Sequence, residues 1–201
     1  MGFLRTRAPA GEEPAGDEPG DEDLVAQARC DPAAFALLYR RYAANVYQYC
    51  DRCLGDRDAA EEATQTVFLR AFASLATCRD GRAFRSWLFA IAHNEIISQR
   101  RSHRPQAPLE TAFGVPDATD SPEDLALAAV ERREITVLLA RLPADQRDPV
   151  ELRLQGLSDQ EIARVLGRSH GAIRMAQYRA VKQLRTFLGA AHVEEGRRVE
   201  R

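Results

Sequence analysis

The sequence predicts an all-α protein built from two small helical modules. Apolar residues recur at three- and four-residue spacing in two blocks, residues 24–104 (module one) and 122–189 (module two), and this spacing is typical of amphipathic helices. A polar, proline-containing segment, residues 105–121, separates them and is predicted to be a flexible acidic linker. The chain has 201 residues, 45% hydrophobic and 29% charged, which is enough for two small domains.

The two ends of the chain are predicted to be tails. Residues 1–23 are rich in Gly, Pro and acids and are expected to be disordered, and residues 190–201 form a polar C-terminal tail. Residues 1–23 lack the apolar stretch of a signal peptide, and no apolar run approaches the roughly 18 residues of a membrane-spanning helix. We therefore expect a cytoplasmic protein without membrane insertion.

Three helices are predicted after the start of module one. Asp31 is a suitable N-cap with Pro32 at the first helical position, and a long amphipathic helix follows. After a break at Gly55, a second helix runs from about Asp58 to Leu75. A short basic loop leads to a third helix, which Pro105 stops.

Module two opens at Ser121, an N-cap followed by Pro122, and its first helix is predicted to reach about Arg141. Pro143 opens the next helix. Pro149 lies inside that helix and is expected to kink or shorten it, because proline lacks the backbone N–H.

The last two helices carry stronger signals. Ser158 and Glu161 form a capping box, and Gly167 is placed to end a helix of about eight residues. Ser169 then caps a longer basic helix. A short helix, a Gly-containing turn and a basic helix predict a helix-turn-helix, whose second helix enters the major groove of DNA.

Charge is distributed unevenly along the chain although its net value is only -2. Residues 79–104 contain six arginines against two acids, and residues 168–187 contain five cations and no acid. Basic segments confined to particular elements are typical of phosphate binding, and each segment alone could equally be a solvated helix face.

The second helix of the helix-turn-helix presents candidate DNA contacts on its outward side. Arginine can bind guanine edges or phosphate, tyrosine and methionine can touch thymine methyl groups, and lysine suits phosphate. The candidates, including two residues of the preceding turn, are Arg168, Ser169, Arg174, Met175, Tyr178, Arg179 and Lys182. A helical hairpin with a basic face is the structural alternative.

Two stretches resemble a known family. Residues 138–187, with LP, GLSDQEIA, LG and GAIR in register, resemble region four of bacterial sigma factors. Residues 24–104, with DAAEEATQTVFLRAF and FRSWLFAIAHNEIISQRR, resemble region two. With only these two regions and a short linker, the chain resembles the extracytoplasmic-function (ECF) sigma factors.

The resemblance implies roles for particular residues. Docking on a coiled coil of the β′ subunit of core RNA polymerase is implied for Glu61, Glu62, Gln65 and Phe68. Contact with the minus-10 promoter element is implied for Arg79, Arg82, Arg85, Asn94, Arg100, Arg101 and Arg104. The family also implies an anti-sigma factor as a partner, whose identity the sequence does not give.

Catalytic and metal sites are not indicated. Cys50 and Cys53 have zinc-like spacing, but no second pair of ligands follows, and Cys53 continues an apolar stripe. The four histidines are scattered, and no Gly-rich phosphate loop is present. We expect neither a cofactor nor an enzymatic activity.

The sequence therefore predicts a promoter-specificity subunit that binds core polymerase, the minus-10 element with module one and the minus-35 element with module two. The alternative is a stand-alone helix-turn-helix regulator that uses module one for dimerisation or ligand binding. The arginine-rich helix of module one favours the first interpretation, because a simple regulator needs only one basic DNA-binding element. A protein without DNA contacts would leave both basic faces without a purpose.

Overall fold

A computed structural model of the chain describes residues 19–102 and 135–199. All regular elements within these two ranges are helical, which confirms the predicted all-α class. The α-helices are α1 (Asp21–Ala28), α2 (Pro32–Leu54), α3 (Arg57–Ala73), α4 (Phe84–Ser102), α5 (Ala144–Leu154), α6 (Asp159–Leu166) and α7 (His170–Val199). Two short 3-10 helices, Leu75–Thr77 and Gly81–Ala83, lie between α3 and α4, and residues 135–140 are also helical. The predicted linker and the start at Ser121 lie outside the described residues.

The predicted caps of α2 are confirmed. The Asp31 carboxylate accepts a hydrogen bond from the backbone N–H of Ala33 at 2.9 Å, and Pro32 occupies the first helical position. Gly55 ends α2 with a φ of 70°, a left-handed conformation that glycine adopts without strain. Asp56 then caps α3, so that α3 begins one residue before the predicted Asp58 and ends at Ala73 rather than Leu75.

Helix α1 corrects the predicted boundary of the N-terminal tail. The helix begins at Asp21, so the acids of residues 21–23, assigned to a disordered tail, form its first turn and complement the helix dipole. Asp21 accepts from Arg41 at 2.7 Å and from the hydroxyl of Tyr42. These contacts fasten α1 to α2.

The core of module one is formed by large side chains from α1 to α4. Tyr49 is fully buried, and its ring meets that of Phe89 at 5.5 Å between centroids and an interplanar angle of 75°. The Tyr49 hydroxyl lies 3.1 Å from Nδ1 of His93. Burial lowers the pKa of His93, so that this ring is held neutral inside the core.

Helix α5 continues through Pro149, which corrects the expected shortening. Proline cannot donate to the carbonyl of residue i−4, which is Asp145. In the structure the guanidinium of Arg168 donates to that carbonyl oxygen at 2.8 Å. A side chain from the turn of the helix-turn-helix thus compensates for the missing backbone donor.

The helix-turn-helix has the predicted local chemistry. Ser158 and Glu161 form both hydrogen bonds of the capping box, and Gly167 ends α6 with a φ of 62°. The Ser169 hydroxyl accepts from the backbone N–H of Ala172 at 3.2 Å at the start of α7. Helix α7 runs to Val199, so residues 190–199, predicted to be a tail, are helical.

The two modules pack against each other, a feature that the sequence did not predict. Helix α6 contacts α4, and four fully buried residues of module two join the core of module one. These residues are Leu152, Leu157, Ile162 and Ile173. A smaller separate cluster contains Leu139, Leu142 and Ala180. Helical periodicity shows which face is apolar but not which partner covers it, so it does not reveal that the two modules share one core.

The loop before α4 depends on a close approach at Gly81. A Cβ atom there would lie 2.5 Å from Cα of Glu22 in α1. We expect Gly81→Ala to lower the free energy of unfolding by about 1–3 kcal/mol, because backbone must move to admit the methyl group. Gly171→Ala is the matched control: its Cβ would meet no atom within 4 Å, and alanine favours a helix. Urea denaturation of both variants measures the difference, and equal stabilities would contradict the close contact.

Candidate nucleic-acid interface

Helix α7 separates a buried face from an exposed basic face. Ile173, Ala176 and Ala180 are fully buried. The outward residues that the sequence predicted are all exposed, namely Arg174, Met175, Tyr178, Arg179 and Lys182. Tyr178 retains 65% of its surface and Met175 54%, which leaves both side chains free to meet another molecule. The arrangement offers two guanidinium groups, an ammonium group, a thioether and a phenol ring on one helix face.

The two candidates in the turn have local structural roles. Ser169 is exposed and caps α7. Arg168 is half-buried because its guanidinium holds the Asp145 carbonyl. Both residues position the start of α7, and their contact with DNA stays a prediction.

The candidate minus-10 residues occupy the loop before α4 and the surface of α4. Arg79, Asn94 and Arg101 are exposed, and Arg104 lies outside the described residues. Arg82 is also exposed and donates from Nε to Glu22 at 2.6 Å. This exposed ion pair contributes little stability, so phosphate can compete for Arg82.

Arg85 and Arg100 already have neighbours within the chain. The Arg85 guanidinium lies 5.9 Å from the centroid of the Tyr42 ring. The Arg100 guanidinium donates from Nη2 to the carbonyl of Cys53 at 2.7 Å and lies 3.8 Å from Asp148 of α5. Arg100 is half-buried and ties the end of α4 to both modules.

Helix α3 presents an exposed acidic and polar stripe. Glu61, Glu62 and Gln65 are exposed, as expected for docking residues, and Glu61 accepts from Arg57 at 2.9 Å. Phe68, predicted as a docking contact, is instead 5% exposed and packs its ring against Tyr39 at 4.7 Å between centroids. Phe68 therefore lies beneath the exposed stripe and packs α3 against α2.

Two apolar residues on the same stripe were missed by the sequence reasoning. Leu69 is 70% exposed and Phe72 is 47% exposed. They follow Gln65 by four and seven residues, the spacing that places side chains on one helix face. Uncovered apolar side chains beside acids are typical of a protein-binding surface, and the spacing from Gln65 was the signal that could have found them.

The comparisons with known proteins match both modules. Residues 38–106 match the Sigma-70 region 2 family, and residues 132–184 match the family Sigma-70, region 4. The chain is 37% identical over 171 residues to the ECF RNA polymerase sigma factor BldN of Streptomyces coelicolor; the match covers 83% of this chain and 65% of BldN, just under two thirds of its length. It is 34% identical over 167 residues to the ECF RNA polymerase sigma factor SigL of Mycobacterium tuberculosis, and that match covers 80% of this chain and 92% of SigL.

Solved structures show the same fold. CnrH, in complex with the cytosolic domain of CnrY, superposes with a TM-score of 0.66 at 26% identity, over 85% of this chain and 97% of CnrH. The sigma factor RpoE of Bartonella quintana, in complex with the anti-sigma factor NepR, superposes with a TM-score of 0.60 at 22% identity, over 77% of this chain and 96% of RpoE. Because the identity to RpoE is only 22%, this similarity is evidence for the fold alone.

The Cys50 and Cys53 pair is unsuited to metal or redox chemistry. Both side chains are buried, and burial raises the pKa of each thiol to about 12. Thiols, unlike thiolates, are poor metal ligands and nucleophiles. Among the described residues, no group of three or more His, Cys, Asp or Glu side chains could hold a metal ion.

Thiol reactivity at pH 8 tests this conclusion. Cys30 is exposed, whereas Cys50 and Cys53 are buried with raised pKa values. We expect a thiol-reactive disulfide reagent to label Cys30 first, and Cys50 and Cys53 only after unfolding in urea, because both burial and protonation suppress attack. A variant with Cys30→Ser and Cys78→Ser that kept a fast-reacting thiol would contradict this order.

Proposed function

Because this chain belongs to the ECF family of bacterial RNA polymerase sigma factors, we propose that it binds core polymerase through α3, contacts the minus-10 element through α4 and reads the minus-35 element through α7. The family consists of transcription initiation factors rather than enzymes. None of the helices in the described ranges is long and apolar enough to cross a membrane. We propose the cytoplasm as the site of action, where core polymerase and promoter DNA are found.

The observation that carries this proposal is the exposed basic face of α7. It follows a capped helix and a left-handed Gly167 turn, which is the geometry that seats a recognition helix in the major groove. Arg174 and Arg179 project from that face and can each make a bidentate contact with guanine. Lys182 lies one turn further on and suits a phosphate.

The surface of α4 suits a single strand of DNA. Arg79, Arg82 and Arg101 are exposed and can follow phosphates, and Asn94 can hydrogen-bond a base or the backbone. The arginines of this surface lie on the loop and at the far end of α4, and Asn94 lies between them along the chain. This order allows phosphate contacts to flank a base contact.

The exposed stripe of α3 is the proposed docking surface for core polymerase. Glu62 and Gln65 offer hydrogen-bond acceptors and an amide donor, and Leu69 and Phe72 add apolar area that is exposed in the free chain. A mixture of central apolar groups with polar neighbours is the usual anatomy of a protein interface.

An anti-sigma factor is the proposed regulatory partner. The RpoE structure is a complex with the anti-sigma factor NepR, and the CnrH structure is a complex with the cytosolic domain of CnrY. The exposed apolar residues of α3 could also serve such a partner. Nothing in the described structure favours the alternative of a stand-alone regulator.

The docking surface is tested by alanine variants of α3. Glu62→Ala, Gln65→Ala and Leu69→Ala should each weaken binding to purified core polymerase. Each loss of about 1.4 kcal/mol of binding free energy raises the dissociation constant about tenfold. All three side chains are exposed, so the fold should be kept. Gln48→Ala, an exposed glutamine on α2, is the matched control and should bind as the unmodified chain does. Unchanged affinity in all three α3 variants would exclude this surface as the docking site.

Binding-site selection separates base reading from phosphate binding on α7. Arg174→Ala or Arg179→Ala removes a bidentate contact worth about 1–3 kcal/mol of discrimination, so specificity should relax at one or two minus-35 positions. Lys182→Ala should weaken binding to all sequences alike and lower the salt dependence. If both arginine variants selected the unmodified motif at every position, the recognition face would have to lie elsewhere.

A further inference from the structure

The turn between α6 and α7 is held by its backbone and by one side chain. The backbone N–H of Arg168 donates to the carbonyl of Ala163 in α6 at 3.0 Å, next to the left-handed Gly167. The guanidinium of Arg168 reaches the other way and donates from Nη1 to the Asp145 carbonyl of α5 at 2.8 Å. Ser169 follows directly and caps α7. A single residue therefore connects α5 and α6 at the point where α7 begins.

The acceptor of that side-chain bond is open because residue 149 is proline. In a regular helix the Asp145 carbonyl accepts from the backbone N–H four residues later, and proline has no N–H. Asp145 is exposed, so water could satisfy its carbonyl and α5 does not need Arg168 in order to fold. The consequence of the bond is therefore for the turn and for α7.

Helix α7 has further polar and apolar contacts beyond its first residues. The side-chain amide of Gln177 donates to Asp159, in the first turn of α6, at 3.2 Å. His170 lies 3.9 Å from the same carboxylate, beyond hydrogen-bonding distance. Ile173 and Ala176 are fully buried and fix which face of α7 meets the core. Among the described contacts, side-chain hydrogen bonds from α7 to α6 thus begin two turns into the helix, and its start is held from the preceding turn.

The start of a recognition helix is the part that meets base edges. Arg174 and Met175 are exposed and lie four and five residues after His170, the first residue of α7. A binding group must be held to within about 0.5 Å and about 10–20° of its productive geometry. Lys182, which suits a phosphate, lies about three turns further along than the start. A change in how α7 begins therefore alters the base contacts more than the phosphate contact.

We propose that Arg168 is a positioning residue for minus-35 recognition: bound to the carbonyl that Pro149 leaves open, it sets the start of α7 and thereby the bases that the exposed side chains of its first two turns can reach. This inference rests on the proposed role of α7 in reading the minus-35 element. It gives Arg168 an indirect role in place of the direct DNA contact that the sequence predicted.

A phosphate contact and a positioning role differ in what the loss of Arg168 changes. A phosphate contact contributes to the binding of every sequence, and its loss lowers the slope of log affinity against log salt concentration by about one. A positioning contact acts through the base-reading residues, so its loss lowers the preference for the correct sequence and leaves the salt slope unchanged. Its effect also depends on Pro149, because the bond needs the open carbonyl.

The test uses the full-length chain assembled with purified core RNA polymerase. Two otherwise identical duplexes carry either the upstream motif that the unmodified chain selects from a random pool or a scrambled motif. Fluorescence anisotropy gives the ratio of the two affinities at several salt concentrations. Arg168→Met keeps the apolar stem and removes the donors, and Pro149→Ala supplies the helical donor to the Asp145 carbonyl. The two changes act on one bond from both sides, so either keeps the test decisive if the other variant does not fold.

Arg168→Met should lower the affinity ratio about tenfold, the equivalent of one base contact, and leave the affinity for the scrambled duplex and the salt slope unchanged. Pro149→Ala should lower the ratio similarly without lowering the free energy of unfolding in urea, because alanine favours a helix interior. The double variant should lose no more than either single variant. A merely structural contact would instead make specificity and stability fall together.

Two further variants are the controls. Lys182→Ala should weaken binding to both duplexes equally and lower the salt slope, as expected for a phosphate contact. Arg164→Met removes an exposed arginine of α6, four residues before Arg168. Its effect should be the same with and without Pro149→Ala, because it does not share the Asp145 carbonyl.

Hydrogen–deuterium exchange of the chain without DNA tests the hold on α7 directly. Exchange in residues 168–176 should be faster in both Arg168→Met and Pro149→Ala, because each change removes the bond that holds the turn to α5. Exchange in residues 177–188 should be unchanged, since the contact of Gln177 with Asp159 is kept.

Three results would overturn the positioning role. The first is that Arg168→Met weakens binding to both duplexes equally and lowers the salt slope as Lys182→Ala does, which makes Arg168 a phosphate contact. The second is that the effects of Arg168→Met and Pro149→Ala add, which means that the open carbonyl is not involved. The third is an unchanged affinity ratio in both folded variants. If instead the unmodified complex binds the two duplexes equally, the proposed minus-35 role of α7 fails, and this inference fails with it.

Discussion

The packing of the two modules depends on how one buried carboxylate, that of Glu151, is held. Its side chain has no exposed surface, and the guanidinium of Arg52, at 2.7 Å, compensates its charge directly. A buried ion pair of this kind adds little net stability, since desolvation offsets much of the attraction, but removing one partner is costly. The pair joins one side chain of α2 to one of α5, while the apolar contact of α6 with α4 contributes most of the favourable free energy.

The helices and their ends were predictable because their causes are local. The Asp31 cap, the Ser158 capping box and the left-handed Gly167 each involve residues at most four apart in the sequence. The same holds for the exposed face of α7, since Ile173, Ala176 and Ala180 fix the direction of the core and leave the basic residues outside. A motif whose stabilising contacts lie within one turn of helix can be predicted without knowledge of the tertiary structure.

The contact between the modules could not be read in this way. In the sequence Glu151 resembles any other helical acid, and its partner Arg52 is 99 residues away. Module one shows a smaller version of the same limit: Phe68 and Leu69 are adjacent and both apolar, yet the first is buried and the second is 70% exposed. Periodicity locates the buried face of a helix only to within one or two residues. The packing of α2 on α3 decides which of two adjacent apolar residues is buried.

Pro149 shows how a violation of a local rule can point to a non-local contact. A proline in the middle of α5 leaves the Asp145 carbonyl without its helical donor. Arg168 supplies a donor from the turn before α7, so the acceptor that proline leaves open in α5 holds the start of the recognition helix. The irregular residue thus couples the helix that carries Glu151 to the helix that carries the DNA-reading side chains.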